Sequence, residues 1–199
     1  MRPLPEWHSR GYLPHWEAGE TPQSITFRLA DSLPRHVVEK CLQDISDLPD
    51  DQAKFERRKH LEEALDRGYG EAFLTGHSIG RIVSDALLHF DGERYRLHAW
   101  CIMPNHVHVL ATPLDGASVA GLAQSWKGFT ARHVNQYLGR SGPVWFRDYF
   151  DRRIRNERHF EAARFYIENN PVKAGLCEQA HNWPWSSASH ARMIGHTAG

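Results

Sequence analysis

The sequence predicts an α+β domain, a ferredoxin-like antiparallel sheet with packed helices, and three observations support that reading. Its segments run in the order strand, helices, strand, strand, helix, strand, helix. The strand segments alternate polar and apolar residues, while the segments between them repeat their apolar residues at helical spacing. Only Met103-Pro104-Asn105 separates the second strand from the third, which makes those two a hairpin. Proline belongs in that link, where no ladder hydrogen bond is lost.

Composition bounds the problem. A chain of 199 residues suits one domain, and nine Phe, seven Trp and six Tyr are enough for a real core. No apolar run approaches the ~20 residues of a membrane span, and the first residues lack the apolar core of a signal peptide, so a cytoplasmic protein is expected. Cys41, Cys101 and Cys177 are odd in number and without paired spacing, which reads as reduced thiols rather than a disulfide frame or zinc finger. Formal net charge is zero, but the charge is unevenly placed. Residues 39–71 hold ten Asp/Glu against six Lys/Arg, and residues 127–173 hold ten Lys/Arg against five Asp/Glu. A neutral chain with one basic region can still bind a polyanion there, although ordinary surface mixing gives the same counts.

Taken in order, residues 1–23 contain four prolines and no clear period, and read as an irregular arm. The main domain is expected over 24–177 and a tail over 178–199. Ser24–Ala30 alternates and forms the first strand. Asp31-Ser32 offers an N-cap for a helix that starts at Leu33-Pro34 and carries Val37, Val38, Cys41, Leu42 and Ile45. Leu48–Asp51 breaks it. A highly charged helix follows over about 52–67, with Phe55, Leu61 and Leu65 as a thin apolar stripe. Such a stripe means a solvated surface helix, and no chemistry is assigned to it. A core helix over about 78–90 places Ile79, Ile82, Val83, Ala86 and Leu87 on one side. The second strand spans Tyr95–Ile102. After the third strand comes a helix from Ser118 to Tyr137 whose apolar face includes Trp126, Phe129 and Val134. Val144–Phe146 and Tyr149–Ile154 supply a further strand. Asn156 caps the last helix, which carries Phe160, Ala163, Tyr166 and Ile167 and stops at Asn169-Asn170-Pro171.

The chemistry centres on the third strand, His106-Val107-His108-Val109-Leu110. Residues two apart share a strand face, so His106, His108 and Leu110 point one way and Val107, Val109 and Ala111 the other. The valines read as the core side, which leaves the histidines on a sheet surface, covered or open. Two neutral imidazoles on one face can bind one cation, but they can equally be strand histidines with no ligand. In the last helix Tyr166 and Asn170 are four apart and therefore neighbours. A phenol, with a pKa of about 10, is a weak nucleophile at neutral pH unless a cation or base helps it ionise. By itself Tyr166 reads first as an ordinary amphipathic residue.

The run from Phe165-Tyr166 through Asn169-Asn170-Pro171 to Gly175-Leu176, after Trp145-Phe146, resembles the tyrosine motif of single-strand DNA transposases. Together with Trp100 and Met103–His108 upstream, it is similar to the REP-associated tyrosine transposase branch of the HUH nuclease superfamily. Arg10–Pro14 and Phe27–Ala30 are similar to that branch as well, so the resemblance covers most of residues 10–190. It implies the HUH nuclease fold. His106 and His108 match the histidine pair that binds Mg²⁺ or Mn²⁺, and Asn170 the residue that completes the metal site. Tyr166 matches the nucleophile that attacks a DNA phosphate, leaving a 5′-phosphotyrosine and a free 3′-hydroxyl. Lys173 falls where a phosphate-contacting lysine is common, whereas Glu168 stands where relatives often have histidine. The charged helix at about 50–67 is an insertion relative to the minimal fold.

The function expected is therefore a metal-dependent single-strand DNA endonuclease and strand transferase acting on hairpin, REP-like DNA, in a bacterial, cytoplasmic and nucleoid-associated protein, monomer or homodimer. Lys127, Arg132, Arg147, Arg152, Arg153, Arg155, Arg158 and Lys173 are candidates for the DNA track, and Trp126, Trp145, Trp183 and Trp185 for stacking bases. The alternative is a non-catalytic hairpin-binding protein. A zinc hydrolase built on His106 and His108 ranks last, because no third histidine or carboxylate follows closely behind the pair.

Overall fold

The computed structural model describes residues 7–9, 14–16, 20–44 and 49–190. A short antiparallel hairpin, β1 (Trp7–Ser9) and β2 (Pro14–Trp16), lies within the arm expected to be irregular. The central sheet contains β3 (Gln23–Arg28), β4 (Tyr95–Ile102), β5 (His106–Pro113) and β6 (Phe150–Arg153), in the order β4-β5-β3-β6, with every pair antiparallel. That is the ferredoxin-like order expected from the sequence. The β4–β5 hairpin closes where Met103 N donates to His106 O at 2.8 Å. Val144–Phe146, expected as strand, contributes only an isolated bridge between Leu29 and Trp145.

Both faces of the sheet are covered. Helices α3 (His77–Leu88) and α4 (Val119–Leu138) lie on one face, over Val107, Val109, Trp100 and Phe27. Ser118 caps α4, its hydroxyl accepting from Gly121 N at 3.0 Å, and Gly139 ends the helix in the left-handed region at φ 62°. Phe129, expected on the apolar face, is 48% exposed. Helix α5 (Glu157–Lys173) covers the opposite face, with Ile167, Phe160 and Ala163 over Ala99, Cys101 and Leu110. Asn156 caps it as expected, accepting from His159 N at 2.9 Å.

Two local expectations need correcting. The first helix, α1 (Arg35–Gln43), begins after Pro34 and has no side-chain cap. The intended cap, Ser32, instead donates to Leu29 O and accepts from Arg28 Nη1. Ile45 and Leu48 lie outside the described residues. The last helix does not stop at Asn170 but continues through Pro171 to Lys173. Ala174 N donates to Asn170 O and Leu176 N to Pro171 O, so the turn closes around the one N–H that proline lacks.

Helix α2 (Asp50–Asp66) is the charged helix. Its buried stripe is Leu61, Ala64 and Leu65, packed with Val37, Cys41 and Phe150. The tail also docks: Ile102 N donates to Trp185 O, and Trp183 Nε1 to Ile102 O, adding a segment beside β4. The Trp185 indole sits against Gly80 of α3, where a Cβ would come within 2.6 Å of the ring, so only glycine admits that contact.

Candidate active site

Strand pairing places β5 next to β3, with Thr26 opposite His108 and Arg28 opposite His106. The two histidines do share one face, and that face is covered rather than open: each is 1% exposed, beneath α5 and the end of α2. The sheet has two cores, and the histidine face is one of them. Alternation predicts the shared face and leaves its exposure open, because it says nothing about what lies above a strand.

Hydrogen bonds fix the protonation of His106. Its Nδ1 lies 2.7 Å from Asn105 Oδ1, whose companion Nδ2 donates to Tyr69 O at 3.0 Å. An amide oxygen only accepts, so His106 Nδ1 holds the proton. Burial holds His106 well below its ordinary pKa, with His108 and Lys173 adding to the effect. The ring is therefore neutral, and its Nε2 presents a lone pair. That lone pair faces His108 Nε2 at 2.9 Å, and Asn170 Nδ2 reaches the same nitrogen at 2.9 Å. An amide N–H pointing at His108 Nε2 requires a lone pair there too. Two lone pairs at this distance repel; a cation between them relieves this, as does a proton on His108 Nε2 once the amide is turned.

The Asn170 side chain supplies the remaining donor. The residue is fully buried and its Oδ1 has no hydrogen-bond partner among the described residues. A half-turn of the amide exchanges nitrogen and oxygen and presents that oxygen to the histidine pair. Donors about 2.1 Å from an octahedral ion stand about 3.0 Å apart, close to the spacing seen. His108 Nδ1, 2.9 Å from Thr26 Oγ1, has the outer partner that orients a metal-binding imidazole. The three residues thus fit a divalent cation. Among the described residues no three His, Cys, Asp or Glu side chains form such a group by themselves; the amide is what completes this one.

Tyr166 lies one turn before Asn170 on α5. Its ring packs edge-on against His108, with centroids 5.7 Å apart, and Lys173 Nζ stands 5.5 Å from the ring centroid. The hydroxyl points to Glu62 Oε2 at 3.4 Å. A cavity of about 240 Å³ opens beside it, lined by Ser24, Glu62, His108, Arg152, His159 and Tyr166. There is room next to the phenol for a substrate group.

Helix α2 was assigned no chemistry, yet two of its carboxylates line this site. Glu62 meets the Tyr166 hydroxyl, and Asp66, one turn later, pairs with Lys173 at 2.9 Å. Burial pushes the Asp66 carboxyl up, Lys173 opposes the rise, and Glu62 and Glu63 add to it. A signal was present in the sequence: each acid directly follows a leucine of the stripe, so burying Leu61 and Leu65 carries Glu62 and Asp66 to the edge of the buried face. Thr26 and Asn105 left no comparable signal.

The remaining candidates are scattered. Arg152, Arg155 and Arg158 are exposed around β6 and the start of α5, with Arg152 in the Tyr166 cavity; Arg153, next along β6, is exposed too. Arg132 and Arg147 are exposed on the α4 side of the sheet. Lys127 turns inward: its ammonium donates to Arg147 O at 2.8 Å, and burial lowers its pKa to about 8. Trp126 and Trp145, proposed for stacking, are core residues at 2% and 6% exposure, donating to Tyr95 Oη and Thr130 Oγ1. Trp183 and Trp185 are the tail's anchors. Glu168 accepts from Ser187 Oγ and holds the tail rather than the site.

The comparisons with known proteins agree with this geometry. The family described as Transposase IS200 like matches residues 79–170, a span that includes both histidines, Tyr166 and Asn170 but excludes α2 and Lys173. The chain is 25% identical over 93 residues to the REP-associated tyrosine transposase of Escherichia coli (strain K12), which covers 47% of this chain and 54% of that one. It is 29% identical over 99 residues to a protein of Haemophilus influenzae (strain ATCC 51907 / DSM 11121 / KW20 / Rd) described as a putative REP-associated tyrosine transposase, covering 45% and 56%. The match therefore spans about half the length of these curated relatives. A solved structure, of a REP-associated tyrosine transposase bound to a REP hairpin, superposes with a TM-score of 0.56 at 17% identity, over 94% of this chain and 86% of that one. It shows that the fold is shared. The resemblance read from the motifs is thus found independently by family, sequence and fold.

Proposed function

We propose that this chain, similar to REP-associated tyrosine transposases through its histidine strand and tyrosine helix, is a metal-dependent single-strand DNA endonuclease and strand transferase. The observation that supports it best is the convergence of His106 Nε2, His108 Nε2 and the Asn170 amide beside a tyrosine hydroxyl in an open cavity. His106, His108 and Asn170 would hold Mg²⁺ or Mn²⁺. When bound, the ion supplies Lewis acidity toward a phosphate oxygen and spreads the negative charge that develops there. Nitrogen donors favour Mn²⁺ over Mg²⁺, and supply in the cell decides between them.

Tyr166 is the nucleophile. Its oxygen bonds to the scissile phosphorus as the bond to the flanking 3′ oxygen breaks. The phenol gives up its proton and the leaving oxygen takes one up, so that it departs as a 3′-hydroxyl with no net proton change, and the 5′ side stays on the protein as a phosphotyrosine. Because the phosphodiester is exchanged rather than hydrolysed, a second 3′-hydroxyl can reverse the step without ATP. Hairpin DNA is the proposed substrate, after the hairpin bound by the structural relative. Arg152 in the cavity, with Arg155 and Arg158 beside it, is proposed to hold the phosphates, and Arg153, Arg132, Arg147, Lys127 and Lys173 are secondary candidates.

The test is covalent capture. A 3′-labelled hairpin incubated with the protein in Mn²⁺ should yield a labelled protein–DNA adduct that survives denaturation and does not form in EDTA. Tight hairpin binding with no adduct in any divalent metal would instead establish the non-catalytic alternative.

A further inference from the structure

We propose that Asp66, delivered by α2, is a carboxylate ligand of the same divalent cation, with Lys173 holding its second oxygen. This rests on the metal site proposed above. Asp66 Oδ1 is buried, has no hydrogen-bond partner among the described residues, and stands 3.9 Å from His106 Nε2. Its other oxygen is fixed by Lys173 at 2.9 Å, which aims Oδ1 rather than leaving the group to rotate. The side chain is only 11% exposed. Leaving a buried carboxylate oxygen unpaired is costly, and a cation removes that cost.

The distance fits the role. Neighbouring ligands of an octahedral ion stand about 3.0 Å apart and opposite ones about 4.2 Å, so an oxygen 3.9 Å from His106 Nε2 is already within the shell's span. A neighbouring group shares the space: the fully buried Asn170 amide reaches His108 through Nδ2 at 2.9 Å, and a half-turn would bring its Oδ1, unpartnered among the described residues, to the same nitrogen. The Asp66 carboxylate oxygen, the Asn170 amide and the two imidazole Nε2 atoms thus gather around one point from three elements. Adding a carboxylate makes the donor set harder and anionic, which suits Mg²⁺ and Mn²⁺ better than imidazole alone. Helix α2 lies outside residues 79–170, so this ligand is not part of the span matched by the family.

Mn²⁺ binding to the DNA-free protein, followed by electron paramagnetic resonance, tests this without reference to cleavage. Wild type, Asp66→Asn, Asp66→Glu, Lys173→Met, His108→Ala and the exposed-carboxylate control Glu63→Gln are titrated, and each is melted in EDTA. Losing an outer partner of a metal ligand costs roughly 10–100-fold in affinity, so Asp66→Asn should lose at least that much. Asp66→Glu should lose less, and Glu63→Gln nothing. Should Asp66→Asn melt as unfolded protein, Asp66→Glu keeps the charge and carries the same comparison. Unchanged Mn²⁺ affinity in folded Asp66→Asn, with binding lost in His108→Ala, overturns the assignment while the histidine site stands. Unchanged Mn²⁺ affinity in both variants, with tighter hairpin binding in Asp66→Asn and weaker binding in Lys173→Met, would make Asp66 only a counter-ion for the lysine. No binding by wild type overturns the metal site and this ligand together.

Discussion

The two faces of β5 are buried to the same degree and made for different ends. Val107, Val109 and Ala111 face α3 and α4 and are fully buried, as are His106, His108 and Leu110 on the other side to within 1%. The valine face is complete: its atoms ask only for contact, and Phe27, Trp126 and Trp145 provide it. The histidine face is incomplete without a guest. Its ring nitrogens, the Asn170 amide and the Asp66 carboxylate are withdrawn from water, and among the described residues Asn170 Oδ1 and Asp66 Oδ1 have no hydrogen-bond partner. Burial on one face is spent on stability; on the other it gathers the polar groups to which the proposed cation and phosphate are assigned. Equal exposure therefore does not mean equal role.

The contrast is sharpest at Tyr166. Tyr166→Phe should abolish the protein–DNA adduct while the melting temperature and hairpin binding stay near wild type, since only the hydroxyl reacts and the ring still packs on His108. Val107→Ala should do the opposite, destabilising the fold by about 2 kcal/mol through lost burial and a cavity while leaving the adduct intact. An adduct formed by Tyr166→Phe would remove Tyr166 as the nucleophile.

A smaller effect is expected for His108→Ala, and it has two parts. In EDTA the variant should lose stability, because truncation leaves a cavity and strips Thr26 Oγ1 of its partner. That loss, about 1–3 kcal/mol, corresponds to a fall of roughly 3–10 °C for a domain of this size. Mn²⁺ at about 100 times its dissociation constant should add about 2.7 kcal/mol to wild type and nothing to the variant. Equal metal stabilisation of both proteins would separate His108 from the ion.

The histidine face should also respond to pH where the valine face cannot. His106 is held well below its ordinary value by burial, so between that value and about 6.5 the unfolded chain binds a proton that the native chain refuses. Its contribution is fully present above about 6.5 and is lost as the pH falls below it, at up to about 1.4 kcal/mol per unit. Denaturant melts in EDTA from pH 7.5 to 5 should show this loss, and His106→Gln should flatten it. A pH-independent wild type across that range would place His106 in contact with water.

The smallest expected change distinguishes the two faces in DNA binding. Each phosphate contact on single strands adds about −0.7 to the log–log salt slope. Replacing Arg152, Arg155 and Arg158 together, on the side of Tyr166, should flatten the slope by about 2 by that rule and weaken all sequences alike. Replacing Arg132 and Arg147, on the α4 side, should leave it nearly unchanged. The reverse result would put the DNA across the other face of the sheet.

Much of this was legible in the sequence, because it depends on short separations. The period of two put His106 and His108 on one face, the spacing of four put Tyr166 beside Asn170, and Asn156 announced its helix by the chemistry of a cap. These rules act within a turn or a pleat, and tertiary contacts did not override them. What only the tertiary structure decided acts across long separations. It covered the histidine face, drew Trp126 and Trp145 into the core, carried α5 through Pro171, and brought Glu62 to Tyr166 across 104 residues and Asp66 to Lys173 across 107. Periodicity marks which side chains leave an element together, whereas packing sets what they meet. A charged helix with a thin stripe therefore reads as solvated until another surface closes on its acids, and here that surface is α5.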